Sequence, residues 1–238
     1  GSNAALRLLG SGTGRALNQF LTLQANARLI VDEDWTIAGF YSTTGGTFFL
    51  GKAFIEVAAT KTLSVERWTF GPYSSVTSHT LIYTKKGAGT LRYLSVPLTI
   101  QGAPYLRVEE GSIEFAINAN YGPWGKPAGS ALLELLAGRS CLLNSTVDHE
   151  FPLVVIGAGS VTKSNTNKVS VRALNSFTGG LTITAGEYDA QFRQACGDGN
   201  VTVSGGVLRA SAVEEDPYAL EIAGNLVFSG GSLALGAA

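Results

Sequence analysis

The sequence predicts an all-β chain: a right-handed, single-stranded parallel β-helix (a solenoid) with coils of about 20–25 residues, at the short end of known repeat periods. Three observations carry this. "GNVTVSGGVL" (199–208) and "GNLVFSGGSL" (224–233) share Gly-Asn, two apolar positions one residue apart, Ser-Gly-Gly and Leu. Self-similarity at a steady spacing is the signature of a repeat architecture. "GGLTITAGEY" opens at Gly179, one slightly shorter step before Gly199, and glycine interrupts its alternation after Leu181–Ile183. An ordinary strand runs about five or six residues. Finally, 30 of 238 residues are glycine and only 15% are charged, against a usual share of about 25%. The apolar residues are dispersed, as many short strands would disperse them.

A solenoid explains the short strands. Each strand pairs with its equivalents one coil above and below, so coil width, not a hairpin partner, limits its length. Glycine then marks corners, where the backbone bends sharply with positive φ. Alternate residues point into the bore: Leu181 and Ile183, Val201 and Val203, Leu226 and Phe228. Thr182, Thr202 and Val227 face outward. At ~4.8 Å per coil, about ten coils make a rod on the order of 50 Å.

Along the chain, Gly1–Ala4 reads as an expression scar. Residues 5–26 are expected to form an N-terminal cap or irregular lead-in. Within them "GRALNQFLTL" (14–23) is a helical candidate and an end cap, which a solenoid needs to cover open strand edges. Residues 27–238 are assigned to the solenoid. The rhythm runs through Leu29, Val31, Trp35 and Ile37, then Phe54 or Ile55 with Val57, Leu63 and Val65. It continues through Leu106, Val108, Ile113 and Phe115, and through Leu133, Leu135 and Leu142. "LLELLAG" (132–138) is composed of helix formers, but its place in the repeat favours a strand.

Two stretches carry a family resemblance. "KKGAGTLRY" (85–93) is similar to the Lys-x-Gly-x-Gly-Thr-Leu opening of the autotransporter-associated β-strand repeat. "NSFTGGLTITAGEY" (175–188) resembles the second half of that repeat, and "GAGSVTKSNTNKVSV" (157–171) its first half again. Asn167 and Lys168 stand where the family has glycine and threonine, Tyr188 stands where it has leucine, and residues 5–80 match poorly. The resemblance covers about a third of the chain. It implies a parallel β-helix in the passenger region of a bacterial protein exported to the cell surface, and it carries no catalytic residues. The chain ends in repeat, without a C-terminal barrel, and reads as a slice of a longer rod.

Chemistry-bearing residues are sparse. The net charge of −1 gives no basic footprint for nucleic acid. No apolar run approaches the ~20 residues of a membrane helix. Cys141 and Cys196 make either a disulfide or two buried thiols, and both readings stay open. Of the two histidines, His79 and His149, the second lies in Asp148-His149-Glu150. A triad needs a nucleophile in a defined setting, and a solvated loop histidine is the simpler reading. The acidic groups are Asp32–Asp34, Glu109–Glu110 and Glu214–Asp216. None recurs at the coil period, so loop solvation is expected, with calcium at Asp32 and Asp34 as a lesser reading. "GSGTGR" (10–15) lacks the ending of a phosphate loop. The sequons at Asn144 and Asn200 are chance-frequency tripeptides. No cofactor and no metal site are expected.

The aromatics are the remaining candidates. "ERWTFGPYSS" (66–75) and "NANYGPWGKPAG" (118–129) place aromatics around Gly-Pro in longer insertions, and loops on a rigid scaffold commonly hold binding residues. Trp68, Tyr73, Tyr121 and Trp124 are therefore the candidate ligand-binding residues, against the reading that they plug a corner. The expected function is non-enzymatic: a secreted or outer-membrane-associated stalk that presents loops to a host or matrix glycan or a surface protein. The alternatives are a pectate-lyase-like carbohydrate-active enzyme and a pure spacer.

Overall fold

The computed structural model describes residues 4–10, 15–21, 23, 26–40, 51–68, 81–95, 105–119, 132–211 and 219–236. They form 23 strands, all paired in parallel in three sheets. Among them there is no helix, hence none long and apolar enough to cross a membrane. Numbered in chain order, the first sheet stacks β1 (Ala5–Leu8), β3 (Arg28–Val31), β5 (Gly51–Val57), β7 (Leu81–Lys86), β9 (Tyr105–Val108), β11 (Leu132–Leu135), β14 (Val154–Gly157) and β17 (Ser176–Phe177). The second stacks β2 (Arg15–Leu21), β4 (Trp35–Phe40), β6 (Thr62–Trp68), β8 (Thr90–Ser95), β10 (Ser112–Ala119), β12 (Ser140–Leu143), β15 (Ser160–Lys163), β18 (Leu181–Ile183), β20 (Val201–Val203) and β22 (Leu226–Phe228). The third contains β13 (His149–Phe151), β16 (Lys168–Val171), β19 (Glu187–Ala190), β21 (Val207–Ala210) and β23 (Ser232–Leu235). Neighbours within a sheet are one coil apart in sequence, so the chain is a β-solenoid.

The bore is built by period-two alternation in register. In the second sheet Leu63, Leu91, Ile113, Cys141, Val161, Leu181 and Val201 lie directly over one another, and each is at most 2% exposed. Most of their outward neighbours are half-buried at the surface, with Glu114 buried and Asn200 exposed. Tyr93, Phe115 and Phe151 stack inside the bore with ring centroids 5.3 and 5.0 Å apart, the first pair offset and the second edge-on, as the ring quadrupole favours. Ile55, not Phe54, faces inward. Leu142, expected inward, faces outward, and Cys141 and Leu143 fill the core. Neither cysteine is in a disulfide. Burial pushes both thiols up, Cys196 to about 12.

Corners follow from left-handed backbone. Gly111 (φ 68°) and Gly186 (φ 66°) turn the chain between sheets. A Cβ at either would lie 2.3 Å from a carbonyl oxygen of the coil below, so only glycine fits.

The expected "GRALNQFLTL" helix is instead β2, paired in parallel with β4. The described part of the lead-in thus contributes strands β1 and β2, the second with a register irregularity between Leu17 and Phe20, and Leu17 and Leu21 pack partly buried on the core. Coil length also departs from expectation. One coil carries the second-sheet column from Leu181 to Val201. The coil from Ile55 to Lys85 in the first sheet is half as long again. The extra residues lie in connections that leave the second sheet. At the other end Leu226, Val227 and Phe228 are 37–46% exposed, because β22 is the edge strand of the second sheet among the described residues.

Ile183 and Val203 are fully buried. Ile183→Asp places an uncompensated charge in the bore and should cost on the order of 3–5 kcal/mol, lowering Tm by roughly 10 °C. Thr182→Asp, one residue away on the outer face, should melt within a few degrees of the parent by circular dichroism.

Candidate functional site

Trp68 closes β6, where it pairs in register with Phe40. Tyr73, Tyr121 and Trp124 lie outside the described residues, as do His79 and Glu214–Asp216. The segments that contain the aromatics have a common origin. Residues 41–50, 69–80, 96–104 and 120–131 each connect a second-sheet strand to the next first-sheet strand. The strands they leave are adjacent, with Phe40 beside Trp68 and Ser95 beside Ala119. The strands they enter are also adjacent, with Gly51 beside Leu81 and Tyr105 beside Leu132. Topology therefore launches all four from one side of the solenoid.

The first sheet's outer face carries a polar network that charge runs alone did not reveal, running from the entry position Tyr105 to Lys86 and Glu109 at the far end of the strands. Lys86 Nζ lies 3.2 Å from Glu109, whose other oxygen is 3.3 Å from Arg107 Nε. That same Nε is 3.4 Å from Glu134, and the Tyr105 hydroxyl donates to Glu134. Lys86 also sits 5.5 Å from the Phe54 ring centroid, a cation–π contact. Burial and the Glu134 contact push the Tyr105 hydroxyl up to about 12, so it stays a donor at neutral pH. Two cations face two carboxylates, so the network is neutral overall. It offers half-buried donors and acceptors beside aromatic rings, contributed by three successive coils. The signal was present in sequence: Arg107 and Glu134 are register partners on successive coils. Insertions vary the coil length, so a fixed period hid them.

The other acids staple coils together. Asp32 pairs with Arg7 at 2.6 Å and Glu33 with Lys61 at 2.7 Å. Asp34 accepts from the Thr62 backbone N–H at 2.7 Å, and Glu110 from that of Gly87 at 2.8 Å. Asp32 and Asp34 thus have protein partners while staying at the surface between strands, Asp34 exposed and Asp32 half-buried. No group of three or more His, Cys, Asp or Glu that could hold a metal occurs among the described residues. Asn144 Nδ2 donates to Glu114 at 2.9 Å and Asn200 Oδ1 accepts from Asn225 N–H at 2.9 Å, so both sequon asparagines serve coil stacking.

His149 is not a solvated loop residue. It opens β13 at 5% exposure. Its Nδ1 lies 3.4 Å from the Val147 carbonyl and its Nε2 3.4 Å from Ser145 Oγ. The carbonyl only accepts, which puts the ring proton on Nδ1. Burial, with Lys163 adding to it, lowers the imidazole to about 4, so it is neutral at pH 7. A serine beside a neutral histidine has the elements of a nucleophilic pair. Ser145, however, is fully buried and also 3.4 Å from the Phe115 carbonyl of the coil below, which leaves no approach for a substrate. Asp148 turns away: it accepts the Lys168 backbone N–H at 2.7 Å, which holds its carboxyl below the usual range.

A cavity of about 350 Å³ opens at the last coils, lined by Phe192, Leu220, Ile222, Leu226, Leu233 and Leu235 among others. It is apolar and far in sequence from the network. Compared with known protein families, curated proteins and solved structures, the chain matches none of them.

His149 gives a pH prediction. Its imidazole is lowered from 6.5 to about 4, so between those values the unfolded chain holds more protons than the folded one. Its contribution is intact above pH 6.5 and is lost as pH falls towards 4. In urea melts at neutral pH and midway between those two values, His149→Gln should lose less stability on acidification than the parent does; equal losses would contradict the burial argument.

Proposed function

We propose that the chain is a non-enzymatic β-solenoid scaffold of the autotransporter-passenger type, displayed at a bacterial surface or secreted, which presents binding loops to a glycan or protein ligand. One observation carries the reading: four long connections, three of them containing aromatic residues, arise from neighbouring strands of one stack. A solenoid whose only task is spacing has no need of such insertions on successive coils. The low charge and the Gly-, Ser- and Thr-rich composition suit an exported rod, and "KKGAGTLRY" and "NSFTGGLTITAGEY" supply the resemblance to the family.

A glycan is the better-supported ligand. Neutral, half-buried networks of carboxylate, guanidinium and tyrosine can meet many hydroxyls without a net charge to neutralise, and tryptophan and tyrosine rings stack on sugar faces. The Lys86–Glu109–Arg107–Glu134–Tyr105 network lies on the strands that these connections enter, with Tyr105 at an entry point.

The same network supports a second reading, a pectate-lyase-like carbohydrate-active enzyme, because charged groups from three successive coils converge on one face. The two readings separate by experiment. On a glycan array, Tyr121→Ala/Trp124→Ala should reduce binding at least tenfold; unchanged binding removes the recognition role of these residues. Incubation with polyuronates and neutral plant or microbial polysaccharides should release no reducing ends. Turnover that Glu134→Gln abolishes would establish the enzyme instead.

A further inference from the structure

Two lysines occupy core positions. Lys85 lies in the inward column between Ile55 and Val108, and Lys163 in the column between Leu143 and Ile183. Both are fully buried. Each stem fills the bore while the ammonium bends into a corner. Lys85 Nζ donates to the carbonyls of Lys86 at 2.8 Å, Gly87 at 2.6 Å and Glu110 at 3.2 Å. Lys163 Nζ donates to those of Ser164 at 2.7 Å, Asn165 at 2.7 Å and Ala185 at 3.2 Å. The two arrangements match although they sit at different corners, between the first and second sheets and between the second and third.

The surrounding backbone is shaped alike. Two positions after each lysine stands a left-handed residue, Gly87 (φ 72°) or Asn165 (φ 69°). Immediately after each next-coil carbonyl stands a left-handed glycine, Gly111 or Gly186. A Cβ there would lie 2.9 Å from Lys85 Nζ and 2.7 Å from Lys163 Nζ. The glycine that permits the turn therefore also leaves room for the ammonium.

We propose that these two corners are built monovalent-cation cages, each made of three backbone carbonyls from two successive coils and occupied by the chain's own lysine ammonium. Three converging carbonyl oxygens repel one another and need a positive centre. An ammonium has three protons, one for each. The distances suit it: 2.6–3.2 Å lies well above the roughly 2.0–2.1 Å of magnesium and at or above the top of the roughly 2.3–2.6 Å of calcium. Rings of carbonyls are also how proteins hold potassium. Burial lowers both ammonium groups to about 8, which leaves them charged at pH 7. Glu110 and Glu56 favour the charge at Lys85 and Arg139 opposes it; Asp148 favours it at Lys163, with neutral His149 nearby. Each cage thus ties one coil to the next at a corner, where the strand ladder is interrupted.

The test is truncation with cation rescue. Lys163→Met keeps the apolar stem and removes the charge, and its Tm should fall by about 5–10 °C in every salt. Lys163→Ala opens a channel to the cage, and ammonium or potassium chloride should restore at least half of its loss relative to tetramethylammonium chloride at equal ionic strength. The parent should move equally in all three salts. A Lys163→Met protein that melts like the parent, or a Lys163→Ala protein indifferent to the cation, overturns the proposal. Should neither variant fold, nitrogen-15 spectra of the parent decide: slowly exchanging NH3+ signals from Lys85 and Lys163 at pH 7 support the cages, and freely exchanging amines refute them.

Discussion

The whole structure depends on one constraint: every strand must lie in parallel register over its equivalent in the coil below. Parallel pairing aligns side chains as well as hydrogen bonds, so a residue that faces inward in one coil stacks on inward residues above and below it. The column from Leu63 through Leu91, Ile113, Cys141 and Val161 to Val201 shows this directly. Each member is desolvated by its two neighbours, and each coil contacts little else, so stability accumulates coil by coil. A one-residue slip would turn an aliphatic column towards water and bring threonines and charges into the bore. Register is therefore set by the core and only reinforced outside it.

Several of the exceptions to an apolar bore share one device: their polar atoms take over backbone partners. Asn175 is 1% exposed, and its amide bridges the Val155 N–H at 2.8 Å and the Ala195 carbonyl at 2.7 Å. Those partners lie one coil below and one coil above it, so one side chain supplies the rungs that a strand would have supplied. Tyr188 is 1% exposed and donates to the same Ala195 carbonyl at 2.7 Å. The two lysines do likewise at their corners. A buried polar group left unpaired costs about 1–3 kcal/mol, so such residues survive only where the chain has interrupted its own ladder and left carbonyls to satisfy.

How much of this was legible depended on whether the coil length was constant. The stretch 175–235 is readable because its coils are short, vary little in length and carry glycine at their corners. The stretch 5–80 only follows the rhythm, because the connection at 41–50 and its successors shift each coil against a fixed period. The same variation conceals Arg107 opposite Glu134. "GRALNQFLTL" looks helical because its local propensity is helical, and the pairing of β2 with β4 overrides that preference. Lys85 and Lys163 give no warning: a lysine near the end of a short strand ordinarily marks the surface. His149 reads as a surface residue for a related reason, since much of what buries it comes from other coils.

The solenoid divides its labour along its length. From β13 onward a third sheet closes the coil, with short turns at Gly186 and Gly197. Before that, the described residues of each coil lie in two sheets, and the segments 41–50, 69–80, 96–104 and 120–131 lead from the second back to the first. Adding residues to a return costs little, because loop entropy grows only with the logarithm of length, whereas adding one to a strand would break register in both neighbours. Variation is thereby channelled to one side of the rod. Cross-coil pairs such as Arg92–Glu114 at 2.7 Å and Arg209–Glu187 at 2.7 Å have exposed guanidinium groups and contribute little net stability. They do penalise any stacking that would set like charges together, so they add specificity where the core adds energy. The Lys86–Glu109–Arg107–Glu134 network differs from them in extent, joining three coils across the first sheet's outer face, so it fixes the relative register of three strands where a single pair fixes two.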